Sequence, residues 1–299
     1  MTSNPPRAVF VTRETDYQLL LARHATREQA RFFLKTRGQS LEELESRHQR
    51  FERALHLARG SVPREWRQTS VLRKDFDRFL FGPEDVIVAV GQDGLVANIA
   101  KYLNEQPVLG INPDSSLYDG MLVRFTPEQA TRLLPGIPYG DCGFEHLTMA
   151  EAKRDDGERI VALNEVFIGH ASHQSARYEV QVDDRREFQS SSGLIVATGT
   201  GASGWARSIM ESTGIKLPLS RDERALDYFV REPFPSVANA TTIRAGRIDL
   251  SDHLTVVSRL NDGGVVFADG IEQDFLSFDW GRTIKVGVAE RAVHLVTCS

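Results

Sequence analysis

Three stretches of the chain combine residue types and spacings that can do chemistry. The first is Gly91-Gln92-Asp93-Gly94, which ends the unbroken apolar run Val86 to Val90 and precedes Leu95, Val96, Ile99 and Leu103 on one helical face. A strand, a glycine loop and a helix in that order aim unpaired backbone N–H groups and the positive end of a helix dipole at one point, which suits a phosphate. Asp93, the lone acid of the loop, suits a metal or a hydroxyl, and equally well a helix cap. The second stretch, Ala162-Leu163-Asn164-Glu165-Val166-Phe167-Ile168, reads as an apolar strand carrying an adjacent amide and carboxylate. Buried, such a pair is costly unless it is hydrogen-bonded, either to backbone in a bulge or to a ligand. The third follows the apolar run Gly193 to Thr198: Gly199-Thr200-Gly201-Ala202-Ser203-Gly204 leads into a helical segment from Trp205. There the hydroxyls of Thr198, Thr200 and Ser203 come within reach of a ligand's polar groups, unless the turn only packs a helix on a strand.

The third stretch spells G-x-G-x-x-G after a strand and before a helix. A dinucleotide-binding Rossmann site also requires a parallel βαβ unit and a further strand ending in an acid about 20 residues on. Here Tyr178 to Val182 joins the preceding run by a short, turn-like link, and Ile215-Lys-Leu-Pro-Leu is a poor buried strand, so a dehydrogenase is disfavoured. His170 and His173 are too few for a metal site, and Cys142 and Cys298 have no metal-ligand spacing, so the chain by itself assigns no metal ligands.

The 299 residues allow two domains, and 41% hydrophobic with 26% charged residues is ordinary for a globular protein. A formal net charge of -5 leaves no basic excess to drive counterion release, which argues against a nucleic-acid partner. No apolar stretch approaches about 18 residues and Met1 to Arg7 has no signal core, so no membrane partner is expected and a cytoplasmic location is the expectation.

Around these stretches the sequence places the elements that must hold them. Ala8 to Val11 is a short apolar run, Thr26-x-x-Gln29 and Ser40-x-x-Glu43 are helix starts, and Leu41, Leu44, His48, Phe51 and Leu55 recur at helical spacing up to Gly60. Pro107 to Ile111 completes a βαβ unit with the Gly91 loop at the carboxyl end of its first strand. Thr126-Pro127 opens a short helix. Beyond Pro138 alternating patterns dominate in Tyr178 to Val182, Leu254 to Ser258, Thr283 to Val288 and Ala292 to Val296, with helical signal only over Trp205 to Glu211 and Arg221 to Phe229. The expectation is an α/β donor-loop domain over 1–140 and a β-rich, antiparallel domain over 141–299 whose chain returns to the first near its end.

The order and spacing of the acidic glycine loop, the Asn-Glu pair and the Thr-Gly turn resemble the NAD kinase family. The pattern is nearest to its mitochondrial-type branch, echoed by Gly110-Ile-Asn-Pro-Asp114, Ser191-Ser-Gly193, Leu44-Glu-Ser-Arg-His48 and Val266-Phe-Ala-Asp269-Gly270. The resemblance implies a Rossmann-like α/β N-terminal domain, a β-rich C-terminal domain and a homodimer. It also implies phosphoryl transfer from ATP or polyphosphate, with Mg2+, to the adenosine 2′-hydroxyl of NAD. By the same resemblance Asp93 is the acid beside the attacking hydroxyl, and Gly91, Gln92 and Gly94 form the phosphate loop. Asn164 and Glu165 hold ribose hydroxyls, Thr198, Thr200 and Gly201 line the adenosine half, and Asn112 stands at the same cleft. Gln92 replaces the family's second loop glycine and Leu95 a small hydroxyl residue. The alternative is therefore an idle nucleotide-binding relative with a regulatory or oligomeric role.

Overall fold

The computed structural model describes residues 5–117, 119–237 and 239–298. They form two compact units, one reaching to Glu145 and regaining the chain at His294, the other spanning His146–Val293.

The first unit begins with β1 (Arg7–Thr12), α1 (Asp16–His24), α2 (Arg27–Lys35) and α3 (Leu41–Gly60). It continues through β2 (Arg67–Leu72), β3 (Asp85–Val90), α4 (Asp93–Ala100), β4 (Pro107–Ile111) and α5 (Pro127–Leu133). Thr15, Thr26, Ser40 and Thr126 each accept from the backbone N–H three residues on, which is why the helices start where they do. All four strands are parallel, in the order β2-β1-β3-β4. Every residue of β3 is buried, as a parallel strand covered on both faces requires. One face packs on α3 and α5, where Ala54, Leu55, Ala58 and Ala130 meet Phe10, Val88 and Leu109. The excursion α1–α2 has its own small core, in which Ala30, Leu34 and Leu41 contact Tyr17, Leu20 and Phe33. Because β1 leads to β2 on one side and β3 lies on the other, the strand order reverses between β1 and β3. Ligand crevices of open α/β sheets form at the carboxyl end of such a switch.

The second unit takes in most of β5 (Gly143–Arg154), then β6 (Arg159–Ala162), β7 (Glu165–His170), β8 (Ala176–Val182), β9 (Arg185–Ser191), β10 (Leu194–Ala197) and α6 (Trp205–Thr213). After these come β11 (Ala225–Val230), β12 (Ala245–Asp249), β13 (Leu254–Ser258), β14 (Gly264–Ala268), β15 (Phe275–Ser277) and the long β16 (Thr283–Thr297). An antiparallel sheet runs β12-β11-β10-β7-β14-β15. Its alternate residues Val166, Ile168, Val196 and Tyr228 share one core with Tyr178 and Val180 of β8, Val256 of β13 and Ile284 of β16. Its other face receives α6, whose Ala206 and Ile209 contact Phe167, Ile195 and Phe229.

The α/β-plus-β architecture stands as expected, and three local readings change. The helical signal at Arg221 to Phe229 ends in a strand, because Leu226 pairs with Ile248 and Ile195 with Phe229 in a wholly buried β11. Thr283 to Val288 and Ala292 to Val296 are one strand. The Asn-Glu run is not continuous, since β6 ends at Ala162, β7 starts at Glu165, and Leu163-Asn164 bend between them.

Candidate functional site

The sequence-selected residues gather in two groups, one in each unit. In the first unit, Gly91 through Gly94 join β3 to α4 at the carboxyl edge of the parallel sheet. Asp93 is the first helical residue of α4, and its carboxylate accepts three consecutive backbone N–H groups, from Met121 (3.0 Å), Leu122 (2.8 Å) and Val123 (2.9 Å). That segment lies directly on β4: a Cβ on Gly110 would stand 2.1 Å from the Leu122 carbonyl oxygen. Asp93 is thus an anchor for a crossing segment, and of roughly four lone-pair sites on its carboxylate one remains for another donor.

Gln92 is the N-cap residue of α4, with φ -109 and ψ 163 and no side-chain bond into the helix. A side chain is compatible with that extended backbone, so the loop does not need glycine there to keep its shape. Gly94 is exposed, with nothing within 4 Å of where a Cβ would lie. Asn112, 6% exposed, accepts from the Asp114 N–H at 3.0 Å and braces the turn after β4.

In the second unit a similar clamp holds the Asn-Glu pair. The Asp269 carboxylate accepts from the N–H groups of Leu163 (3.0 Å), Asn164 (2.7 Å) and Glu165 (3.3 Å), while the Asp269 N–H donates to the Glu165 carbonyl. Asp269 sits at φ 51, in the left-handed region where an Asp is tolerated better than most residues. Sequence reasoning assigned it no role, and the only signal was its membership of the Asp-Gly segment.

Thr198, fully buried, donates to the Leu163 carbonyl and accepts from the N–H groups of Thr200 and Gly201, at 3.1 and 3.2 Å. Its hydroxyl therefore builds the turn, and its backbone N–H donates to the Asn164 carbonyl at 2.9 Å. Gly201 is glycine because a Cβ would lie 2.1 Å from that same carbonyl oxygen, and Gly199 because it would lie 1.9 Å from the Ser220 carbonyl oxygen. What the tight turn leaves over is the Thr200 hydroxyl, 5% exposed and without a hydrogen-bond partner among the described residues. A buried hydroxyl without a partner is uncommon and points to a missing ligand group or water. Glu165 is also buried, and burial together with the neighbouring Asp269 charge pushes its carboxyl up to about 7. Strand β10 pairs antiparallel with β7 and β11, so the G-x-G-x-x-G here does not belong to a parallel βαβ unit.

No family model matches the chain. In sequence it is similar to "NAD kinase 2, mitochondrial" of Rattus norvegicus, 28% identical over 256 residues that make up 69% of this chain and 60% of that protein. The chain thus spans about three fifths of that relative's length. In structure it is similar to an NAD kinase from Archaeoglobus fulgidus solved in complex with ATP (TM-score 0.60, 18% identity, 97% of this chain and 93% of that one). It is similar also to yeast NADH kinase complexed with NADH (TM-score 0.61, 16% identity, 99% and 85%). The chain has the NAD kinase fold. It resembles the NAD kinase family in sequence as well, and the likeness includes the mitochondrial type.

Proposed function

We propose that this protein is an NAD(H) kinase, moving a phosphoryl group from ATP or polyphosphate to the adenosine 2′-hydroxyl of NAD(H) to give NADP(H). The observation that carries this reading is the second unit's turn. A buried, unpartnered Thr200 hydroxyl lies in a turn built on the segment that presents Asn164 and Glu165, which suits an adenosine ribose with its paired hydroxyls. The half-buried Asn164 amide would hold one ribose hydroxyl, and Glu165, held near neutral, could donate to or accept from another. Gly201, packed without a side chain against the Asn164 backbone, holds the turn on the segment that carries Asn164 and Glu165.

Phosphoryl transfer is mostly positioning and charge stabilisation, so the chain's part is to hold donor, acceptor and the acid at fixed places. Gly91, Gln92 and Gly94 would face the donor phosphates. Asp93 would use its remaining lone-pair site to orient the attacking hydroxyl and accept its proton. Among the described residues there is no group of three or more His, Cys, Asp or Glu that could hold a metal ion. Magnesium would therefore arrive on the donor phosphates, as this ion commonly does, and supply charge neutralisation there.

The test is direct: purified protein, Mg2+, ATP or polyphosphate, NAD or NADH, and detection of the 2′-phosphorylated product. Product with at least one donor and acceptor is expected. None with any combination, while NAD still binds, would leave the idle relative as the function. A homodimer and a cytoplasmic location accompany the proposal, and size-exclusion with light scattering checks the first. No helix among the described residues is long and apolar enough to cross a membrane.

A further inference from the structure

The sequence contains two cysteines, Cys142 and Cys298, 156 positions apart. Each flanks one of the two strands by which the chain passes from one unit to the other. Strand β5 begins in the first unit at Gly143 and continues into the second, whereas β16 re-enters the first unit at His294 and ends at Thr297. The two strands pair with each other. Their first-unit ends lie close together: a Cβ on Gly143 would stand 2.7 Å from the Thr297 hydroxyl, and the Phe144 and His294 rings are 6.4 Å apart. Since the start of β5 meets the end of β16, the strands run antiparallel, and one step outward from Gly143 and Thr297 sets Cys142 opposite Cys298.

The core cluster that holds Cys142 also holds Val296 and touches Phe144, so alternation along the two strands carries both cysteines to one face. Opposite residues of an antiparallel pair lie about 4.5 to 5.5 Å apart at Cα, inside the range of about 4.4 to 6.8 Å that a disulfide spans. The surroundings of the two thiols differ. Cys142 is 8% exposed and donates to the Leu133 carbonyl at 3.8 Å. Burial above all, with Asp141 and Cys298 adding to it, pushes its thiol up, and the contribution of Cys298 reflects how near the two sulfurs are. Cys298 is exposed, so an oxidant in solution reaches it first.

We propose that Cys142 and Cys298 are a modification site, a reversible disulfide that staples the first-unit ends of β5 and β16 when a peroxide oxidises it. The Cys298 thiolate attacks hydrogen peroxide and the O–O bond breaks, leaving a sulfenic acid on Cys298 and a hydroxide that takes up the thiol's proton as water. The Cys142 sulfur then attacks the sulfenic sulfur. As the S–S bond forms the S–O bond breaks, and the hydroxyl departs with the Cys142 proton as a second water. Two thiols have lost two electrons and two protons, and one peroxide has become two waters. A dithiol reverses the step by thiol–disulfide exchange. The loop so closed contains the whole of the second unit, so oxidation removes freedom from the unfolded chain and raises thermal stability. None of this depends on the kinase reading.

The experiment treats the reduced full chain with hydrogen peroxide beside Cys142→Ser and Cys298→Ser, then reads intact mass, free thiols in denaturant, peptides mapped without reductant, and the melting temperature. The parent is expected to lose both thiols and the mass of two hydrogens and to yield one linked Cys142–Cys298 peptide. It should melt higher by about 5 °C or more, and dithiothreitol should reverse every change. In Cys142→Ser the exposed Cys298 should gain oxygen or link to a second chain, and in Cys298→Ser the buried Cys142 should stay reduced. Cys298→Ser changes an exposed side chain and keeps the fold, so it and the parent decide the matter even if Cys142→Ser does not fold. A parent that keeps both thiols, or whose Cys298 gains oxygen or joins a second chain, would overturn the pairing. A linked peptide with an unchanged melting temperature would overturn the staple.

Discussion

Two aspartates, 176 positions apart in sequence numbering from Asp93 to Asp269, make the same construction in different surroundings. Each carboxylate accepts three consecutive backbone N–H groups from a distant segment. Asp93 is half-buried at a helix N-terminus, where water can take over part of its work as an acceptor. Asp269 is 9% exposed in a β-rich unit, and its charge raises the proton affinity of Glu165. The lesson is that one device, a carboxylate gathering an amide run, serves as a partly wet anchor in one unit and a dry one in the other. The cost of breaking it should differ accordingly.

The same substitution at both positions tests this most severely. Asp→Asn keeps the shape but turns an amide NH2 toward N–H groups that need an acceptor. Asp269→Asn should cost about 3 kcal/mol of stability, because dry amides are left without partners. Asp93→Asn should cost only about 1 kcal/mol, with water replacing the lost oxygen. Urea denaturation measures both, and equal losses would erase the distinction. Turnover reads Asp93 separately: a fall of roughly 10²-fold in the folded variant is expected if the acid also serves the acceptor hydroxyl.

Glu165 sharpens the contrast by pH. Its carboxyl is raised from 4.5 to about 7, first by burial and then by Asp269, so the folded state holds its proton over a range where the unfolded chain has released it. More protons bound in the folded state means that stability falls as pH rises from about 4.5 to about 7, by about 3 kcal/mol at most. Above that window the slope from this group ends. Glu165→Gln should remove that part of the slope, and a variant retaining the full parent slope would assign it to other groups. A smaller effect is expected at Thr200: Thr200→Val replaces an unpartnered hydroxyl with a methyl. It should leave stability unchanged or slightly higher while weakening NAD binding about tenfold by calorimetry. Unchanged NAD affinity would mean that the hydroxyl waits for water rather than for ribose.

How much of this was legible depended on whether the signal was local. The β3–Gly91–α4–β4 unit could be read because an apolar run switches to helical spacing at a glycine, all within about 25 residues. The Thr15-x-x-Gln18 box that starts α1 carries the same signature as Thr26-x-x-Gln29 and was equally available. Arg221 to Phe229 misleads because its charged start and apolar spacing suit a helix, while its fate is decided by β10 and β12 on either side. The clamps leave no trace in sequence, since the partners of Asp93 and Asp269 are backbone amides that every residue but proline offers. For the same reason Thr198 and Thr200 look alike as letters. Only the fold shows that one hydroxyl builds the turn and the other is left without a partner.

Gln92 carries the smallest expected effect and the finest test of the first unit's loop. From the sequence, glutamine in place of a family glycine suggests an obstructed donor site, for which Gln92→Gly would raise the ATP-dependent rate about tenfold. The backbone removes half of that case, because φ -109 and ψ 163 ask nothing of glycine and the loop is already in an extended N-cap conformation. Glycine is itself an acceptable N-cap, so the substitution should change stability by only a few tenths of a kcal/mol. The remaining question is where the amide goes. If it meets the donor's phosphate chain, its loss removes one hydrogen bond worth about 0.5 to 1.5 kcal/mol, and ATP affinity falls about threefold with NAD binding unaltered. Titration of Gln92→Gly with MgATP and with NAD decides it. A threefold loss for ATP alone makes Gln92 a working part of the donor site, whereas a tenfold faster rate would show that the side chain stands in the donor's way.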